Sequence, residues 1–135
     1  MAKYGVGSEK IALLAEGRSA AAALRARNTE TLAGRVLLSP VWPKSGPRPL
    51  ELPAESSVVP CFLLSGDDDA AGRESAQAIY EALAGLKEIR LYPTASQGVD
   101  LLDLFASAEA QIFQWLETVL GTPKISRVPV ADVVG

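Results

Sequence analysis

Short apolar runs alternate along this chain with segments whose apolar residues recur every three or four positions. Ile11–Ala15 (IALLA), Arg35–Val41 (RVLLSPV), Val58–Ser65 (VVPCFLLS) and Ile89–Tyr92 (IRLY) are brief and bounded by Gly, Pro, Asp or Ser. Such runs predict strands buried on both faces, the pattern of a parallel sheet with both sides covered. Ser19–Arg27 is Ala-rich and made of strong helix formers. Between Gly72 and Leu83, the residues Ala76, Ile79, Tyr80 and Leu83 fall at helical spacing, with Gly85 as a stop. Between Ser107 and Leu120, one stripe is formed by Ile112, Phe113, Leu116 and Leu120. Ser107 is the candidate N-cap there, and Gly121 and Pro123 end the helix. Trp115 lies off that stripe, which leaves it at the edge of the core or at an interface.

The order of these segments predicts an α/β fold: an open, mostly parallel sheet of about four strands with helices on both faces. Pro43–Pro53 is a Pro-rich connection. Residues 1–121 form one unit, and 122–135 a tail that is either loose or an arm docked on a neighbour. A chain of 135 residues is long enough to bury a core of its own.

Composition narrows the chemistry. The net charge is -3 and the lysines are scattered, so no nucleic-acid partner is expected. No run reaches the length of a membrane span, and residues 1–10 lack the apolar core of a signal peptide. A cytoplasmic location fits this. One cysteine and no histidine argue against a disulfide or a zinc site. Cys61, inside an apolar run, reads as a buried thiol. No cofactor or metal is expected.

Four loose motifs then stand in order. Gly17-Arg18-Ser19-Ala20-Ala21 follows the first strand and is similar to the nucleophile elbow G-x-S-x-G, with Ala21 at the last glycine. RVLLSPVW at 35–42 and VVPCFLLSGDDD at 58–69 supply the next two strands, the second with a G-x-x-D turn. KEIRLYPTASQGVDLL at 87–102 supplies a last strand and loop. Over residues 4–121 the chain resembles the second half of the α/β-hydrolase superfamily, from the elbow strand onward. The resemblance implies that Ser19 holds the nucleophile position and Asp69 the acid position, with Asp67 or Asp68 as alternatives. Gln97 holds the position of the base, and the Ala20 N–H that of an oxyanion donor. Arg18, Trp42, Asp67 and Asp68 would line the crevice.

Two departures bear on activity. An amide such as Gln97 has no protonation change near neutral pH, so it cannot carry the serine proton. Loss of the histidine from such a triad costs on the order of 10⁶ in kcat. The first half of the family fold, with its second oxyanion donor, is also missing. Structural roles account for the same residues: Ser19 as a helix cap, Arg18 as a solvated cation, Asp67–Asp69 as a turn and cap, Gln97 as a loop residue and Asp100 as a cap.

Without its usual neighbour the Ile11–Ala15 strand becomes an apolar edge, a template for pairing. The sequence therefore points to a non-catalytic protein acting by association, as a homodimer through this strand or as a subunit beside a companion chain. Two alternatives stay open: a serine hydrolase or esterase completed by a partner chain, and small-molecule binding in the crevice at the strand C-termini.

Overall fold

A computed structural model describes residues 11–25, 32–43 and 51–121. The 122–135 tail, residues 4–10 of the family resemblance, the end of the predicted Ser19–Arg27 helix and most of the Pro43–Pro53 connection lie outside the described residues. Among the described residues nine elements follow in order: β1 (Ile11–Glu16), α1 (Ser19–Arg25), β2 (Leu32–Leu38), α2 (Ala54–Ser57), β3 (Cys61–Gly66), α3 (Ala70–Ala82), β4 (Lys87–Tyr92), α4 (Val99–Leu104) and α5 (Ala106–Leu120).

The four strands form one parallel sheet in the order β1-β2-β3-β4. Strand alternation sends Leu37, Cys61 and Leu63 to one face, where they meet Ala20, Leu24, Ala76 and Ile79 of α1 and α3. Val36, Leu38, Phe62 and Leu64 face the other way, toward Leu101, Ala108, Ile112 and Trp115 of α4 and α5. The sheet is thus covered on both faces, as the apolar runs predict. β3 is buried at every position, whereas β1 is buried only at Ala15.

Several boundaries differ from the sequence expectation, each for a local reason. β2 stops at Leu38 and not Val41, because Ser39 takes a left-handed φ of 48° and Pro40 follows. β3 begins at Cys61 and not Val58. Pro60 has no N–H for the ladder, and Val58 lies exposed in the preceding turn. α5 begins one residue before Ser107, which sits inside its first turn, and no side chain caps that helix. Nor does Asp100 cap: Gly98 precedes α4, and Asp100 lies in its first turn.

The apolar stripe of α5 is also rotated. Ala108, Ile112 and Trp115 are buried, while Phe113 is 59% exposed. Trp115 belongs to the core because Gly34 leaves room for it. A Cβ at position 34 would meet the indole at 2.7 Å, and the Phe62 ring lies 5.8 Å from it. Among the described residues, one charged side chain is wholly interior. Arg35 donates to the Ser56 hydroxyl at 2.8 Å and to the carbonyls of Ser56 and Val59 at 2.7 and 3.2 Å. Ser56 in turn donates to the Leu24 carbonyl at the end of α1. This clamp fixes the unexpected α2 between α1 and β2. Burial pushes the Arg35 pKa down, against a smaller upward pull from Cys61.

Candidate functional site

The C-terminal ends of the strands gather the residues that sequence motifs single out. The turn after β1 is pinned by the Gly17 N–H donating to Leu38 O at 3.1 Å, and Val41 N–H donates back to Gly17 O at 3.0 Å. Gly17 itself has φ +60°, which favours glycine, and a Cβ there would meet nothing within 4 Å. Ser19 is the first residue of α1, exposed, with no side-chain hydrogen bond among the described residues. In a nucleophile elbow the serine stands on the strained turn itself. Here that position is Gly17, two residues before Ser19. Ala20 is fully buried, and its N–H already donates to Gly17 O at 3.2 Å, so it is not a free oxyanion donor.

The end of β3 is built by close approach. A side chain on Gly66 would collide with the Thr94 carbonyl, so glycine lets the loop after β4 lie against the Asp67–Asp69 turn. Asp67 N–H donates to Tyr92 O at 2.6 Å and Asp68 N–H to Thr94 O at 3.0 Å, while both side chains stay exposed. Asp69 is 7% exposed and caps α3 by accepting from Gly72 N–H at 3.2 Å. The same oxygen, Oδ1, accepts from Gln97 Nε2 at 3.1 Å. Its Oδ2 has no hydrogen-bond partner and packs against Gly72. Next along the loop, Gly98 N–H donates to Ser39 Oγ at 2.9 Å, and the Glu16 carboxylate lies against Gly98.

The structure thus brings Asp69 and Gln97 together and leaves Ser19 unconnected to either. Arg18 and Trp42 share a different feature, a groove of about 640 Å³ also lined by Glu74 and Ser75. Trp42 is half-buried there against the α1–α3 core. Its backbone N–H donates to Ser75 Oγ at 3.1 Å, and Arg25 lies 5.8 Å from its ring centroid. Gly17, read from sequence as the first residue of the elbow motif, completes the crevice together with Ser39 and Glu16, which were not singled out from sequence.

Chemically, Asp69 orients an amide that can donate and accept hydrogen bonds but cannot transport a proton. Cys61 is no substitute nucleophile. Burial pushes its thiol up to about 12, with Arg35 opposing more weakly, and it is fully enclosed in β3. Among the described residues no cluster of three or more Cys, Asp or Glu side chains could hold a metal ion. No helix among them is long and apolar enough to cross a membrane.

A second surface lies at the open side of β1. Ile11, Leu13 and Leu14 are 45%, 36% and 59% exposed. Between β1 and α5 runs a groove of about 380 Å³, lined by Leu13, Leu14, Ile112, Phe113, Leu116 and Leu120. Comparison with protein-family models, with curated proteins and with solved structures finds no match to the chain.

Proposed function

We propose that this is a non-catalytic protein of the α/β-hydrolase type that acts by association, presenting β1 and the neighbouring face of α5 to another polypeptide. The observation that carries this reading is the apolar edge of β1, which among the described residues pairs with β2 alone and continues into the Leu14–Phe113 groove. A row of unpaired backbone groups beside exposed leucines is a pairing surface. The crevice supports the other half of the reading. Gln97, at the position the family resemblance gives to the base, is tied to Asp69, and the turn residue is a glycine without a nucleophile.

The test is enzymological. Purified protein is expected to hydrolyse p-nitrophenyl esters no faster than its Ser19→Ala variant, and to take no label from a fluorophosphonate probe. Ester turnover abolished by Ser19→Ala, or probe attached to Ser19, would sink the non-catalytic reading and favour a serine hydrolase.

A further inference from the structure

We infer that the polypeptide meeting β1 is a second copy of this chain, paired antiparallel across a two-fold axis through Leu13. The inference rests on the association reading above and names its partner.

Backbone geometry sets the terms. Gly17 N–H reaches β2 at Leu38 O. Along an extended strand the N–H and C=O groups alternate sides, so the odd-numbered residues of β1 point to β2. Ala12, Leu14 and Glu16 therefore direct theirs to the open edge. A two-fold axis normal to the sheet reverses the strand and preserves its faces, so residues opposite one another must have the same parity. With Leu13 on the axis, Ala12 of one copy lies opposite Leu14 of the other, and Ile11 opposite Ala15. Both Ala12–Leu14 contacts are then hydrogen-bonded pairs, and Leu13 meets its own copy in a non-hydrogen-bonded pair. Ala12 faces Leu14 on one side of the sheet and Ala15 faces Ile11 on the other, with the Leu13 pair between the latter two. The two four-stranded sheets become one, and Phe113 of each copy flanks the seam.

Charge selects the second copy. From Ile11 to Ala15 the strand carries no charge, so self-pairing sets no like charges opposite each other. The other edge cannot replace it as partner. β4 carries Lys87, Glu88 and Arg90. A β1-to-β4 contact would desolvate those charges against leucine and, being head-to-tail, would build a ring or an open chain and not a two-fold dimer. The symmetric contact closes as a dimer.

Light scattering over a concentration series tests this on the full chain. The expected mass is twice 14.2 kDa. Leu14→Lys should weaken dimerisation on the order of 100-fold, and Leu86→Lys, at a residue equally exposed beside β4, should not. Leu13→Cys should give a disulfide-linked dimer on mild oxidation, because a non-hydrogen-bonded antiparallel pair holds its Cα atoms about 4.5 Å apart, within disulfide reach. A dimer unaffected by Leu14→Lys and not linked through position 13 overturns the proposal. So does a monomer throughout. In that case hydrogen exchange at the Ala12 and Leu14 amides separates the two readings. Fast exchange leaves an open edge for a different chain, so association stands and self-pairing falls. Slow exchange in a monomer means the edge is already covered, and both fall.

Discussion

β1 and β4 both close the sheet among the described residues, yet they are finished in opposite ways. On β4, Lys87 Nζ reaches the Tyr80 and Leu83 carbonyls at the end of α3, at 2.8 and 3.1 Å, a favourable place for a cation. Glu88 and Arg90 pair at 2.6 Å, half-exposed, on the same side of the strand. The outward surface of that edge is thereby charged, and any strand added to it would have to strip the charges of water. On β1 the positions in register with Lys87, Glu88 and Arg90 are Leu13, Leu14 and Glu16, so two of the three are apolar and no charge stands between Ile11 and Ala15. Since both edges belong to one sheet, hydrophobicity required for folding does not explain the difference. Leu14 and Phe113 are the more exposed members of their elements, so they add little to the core in which Ala15 and Ile112 already serve. On the proposed reading, β4 is an edge kept from pairing and β1 one left available for it.

The largest expected effect comes from erasing that contrast. The double substitution Glu88→Leu/Arg90→Leu gives β4 the character of β1. A molecule with two adhesive edges can link into open chains. Its mass by light scattering is therefore expected to climb with concentration well past that of the dimer, and adding Leu14→Lys should cap the growth. If the double variant stays at the wild-type mass, the charges on β4 are not what protects it, and the comparison loses its basis.

The contrast between the edges was largely readable from the amino-acid sequence, because it consists of charge and apolarity along short runs. The all-parallel sheet was equally readable: CFLLS can be buried at every position only between two neighbours and two helical layers. A cap for α3 within Asp67–Asp69 followed from an acidic turn before a helical stripe, and the structure assigns it to Asp69. The sequence pattern misplaced features that depend on tertiary contact. The phase of α5 was read from Ile112, Phe113 and Leu116, but the helix turns Trp115 inward because Gly34, remote in sequence, leaves a space for its ring. Arg35 looked like the polar start of a strand. It is an interior cation only because Ser56 and Val59 come round to accept its protons. The elbow was counted from its serine, whereas the backbone places the left-handed residue at Gly17, where β1 ends. Which side chain a tight turn exposes depends on where the strand stops, and that boundary is set by pairing with β2.

The next effect in size separates the stability of the fold from the adhesion of its edge. Arg35→Ala leaves the Ser56 and Val59 carbonyls without their donors, frees α2 from β2 and opens a cavity in the interior. Lost charge-assisted hydrogen bonds and the cavity together should cost about 3 kcal/mol, or roughly 10 °C in Tm for a domain of this size. Calorimetry checks it. The dimerisation constant of the protein that remains folded should be close to wild type, because β1 stands between Arg35 and the open edge and the guanidinium is directed to Ser56 and Val59. A variant that lost dimerisation while keeping its Tm would reverse the assignment of roles between interior and edge.

The smallest effect is a pH dependence, and it too belongs to the interior. The exposed Glu88–Arg90 pair is worth well under 1 kcal/mol, so the charges of β4 serve to discourage pairing and contribute little stability. Cys61 behaves differently. Its thiol is raised from 9.0 in the unfolded chain to about 12 by burial in β3. Below pH 9 both states hold the proton and the stabilisation is complete. Above pH 9 the unfolded chain releases it and the folded chain does not, so stability falls as pH rises toward 12. At pH 10 the loss is about 1.4 kcal/mol. Tyr92, raised chiefly by burial with smaller opposed influences from Arg90 and Glu88, adds to the loss in the same direction. Arg35, whose pKa is lowered chiefly by burial, acts in the opposite sense. Urea unfolding at pH 8 and pH 10, carried out in the Leu14→Lys background so that association does not enter, should show this decline. Cys61→Ala should remove the thiol's share and leave a shallower slope. Equal slopes with and without the thiol would remove Cys61 as a source of the alkaline sensitivity and leave it to other groups, Tyr92 first among them.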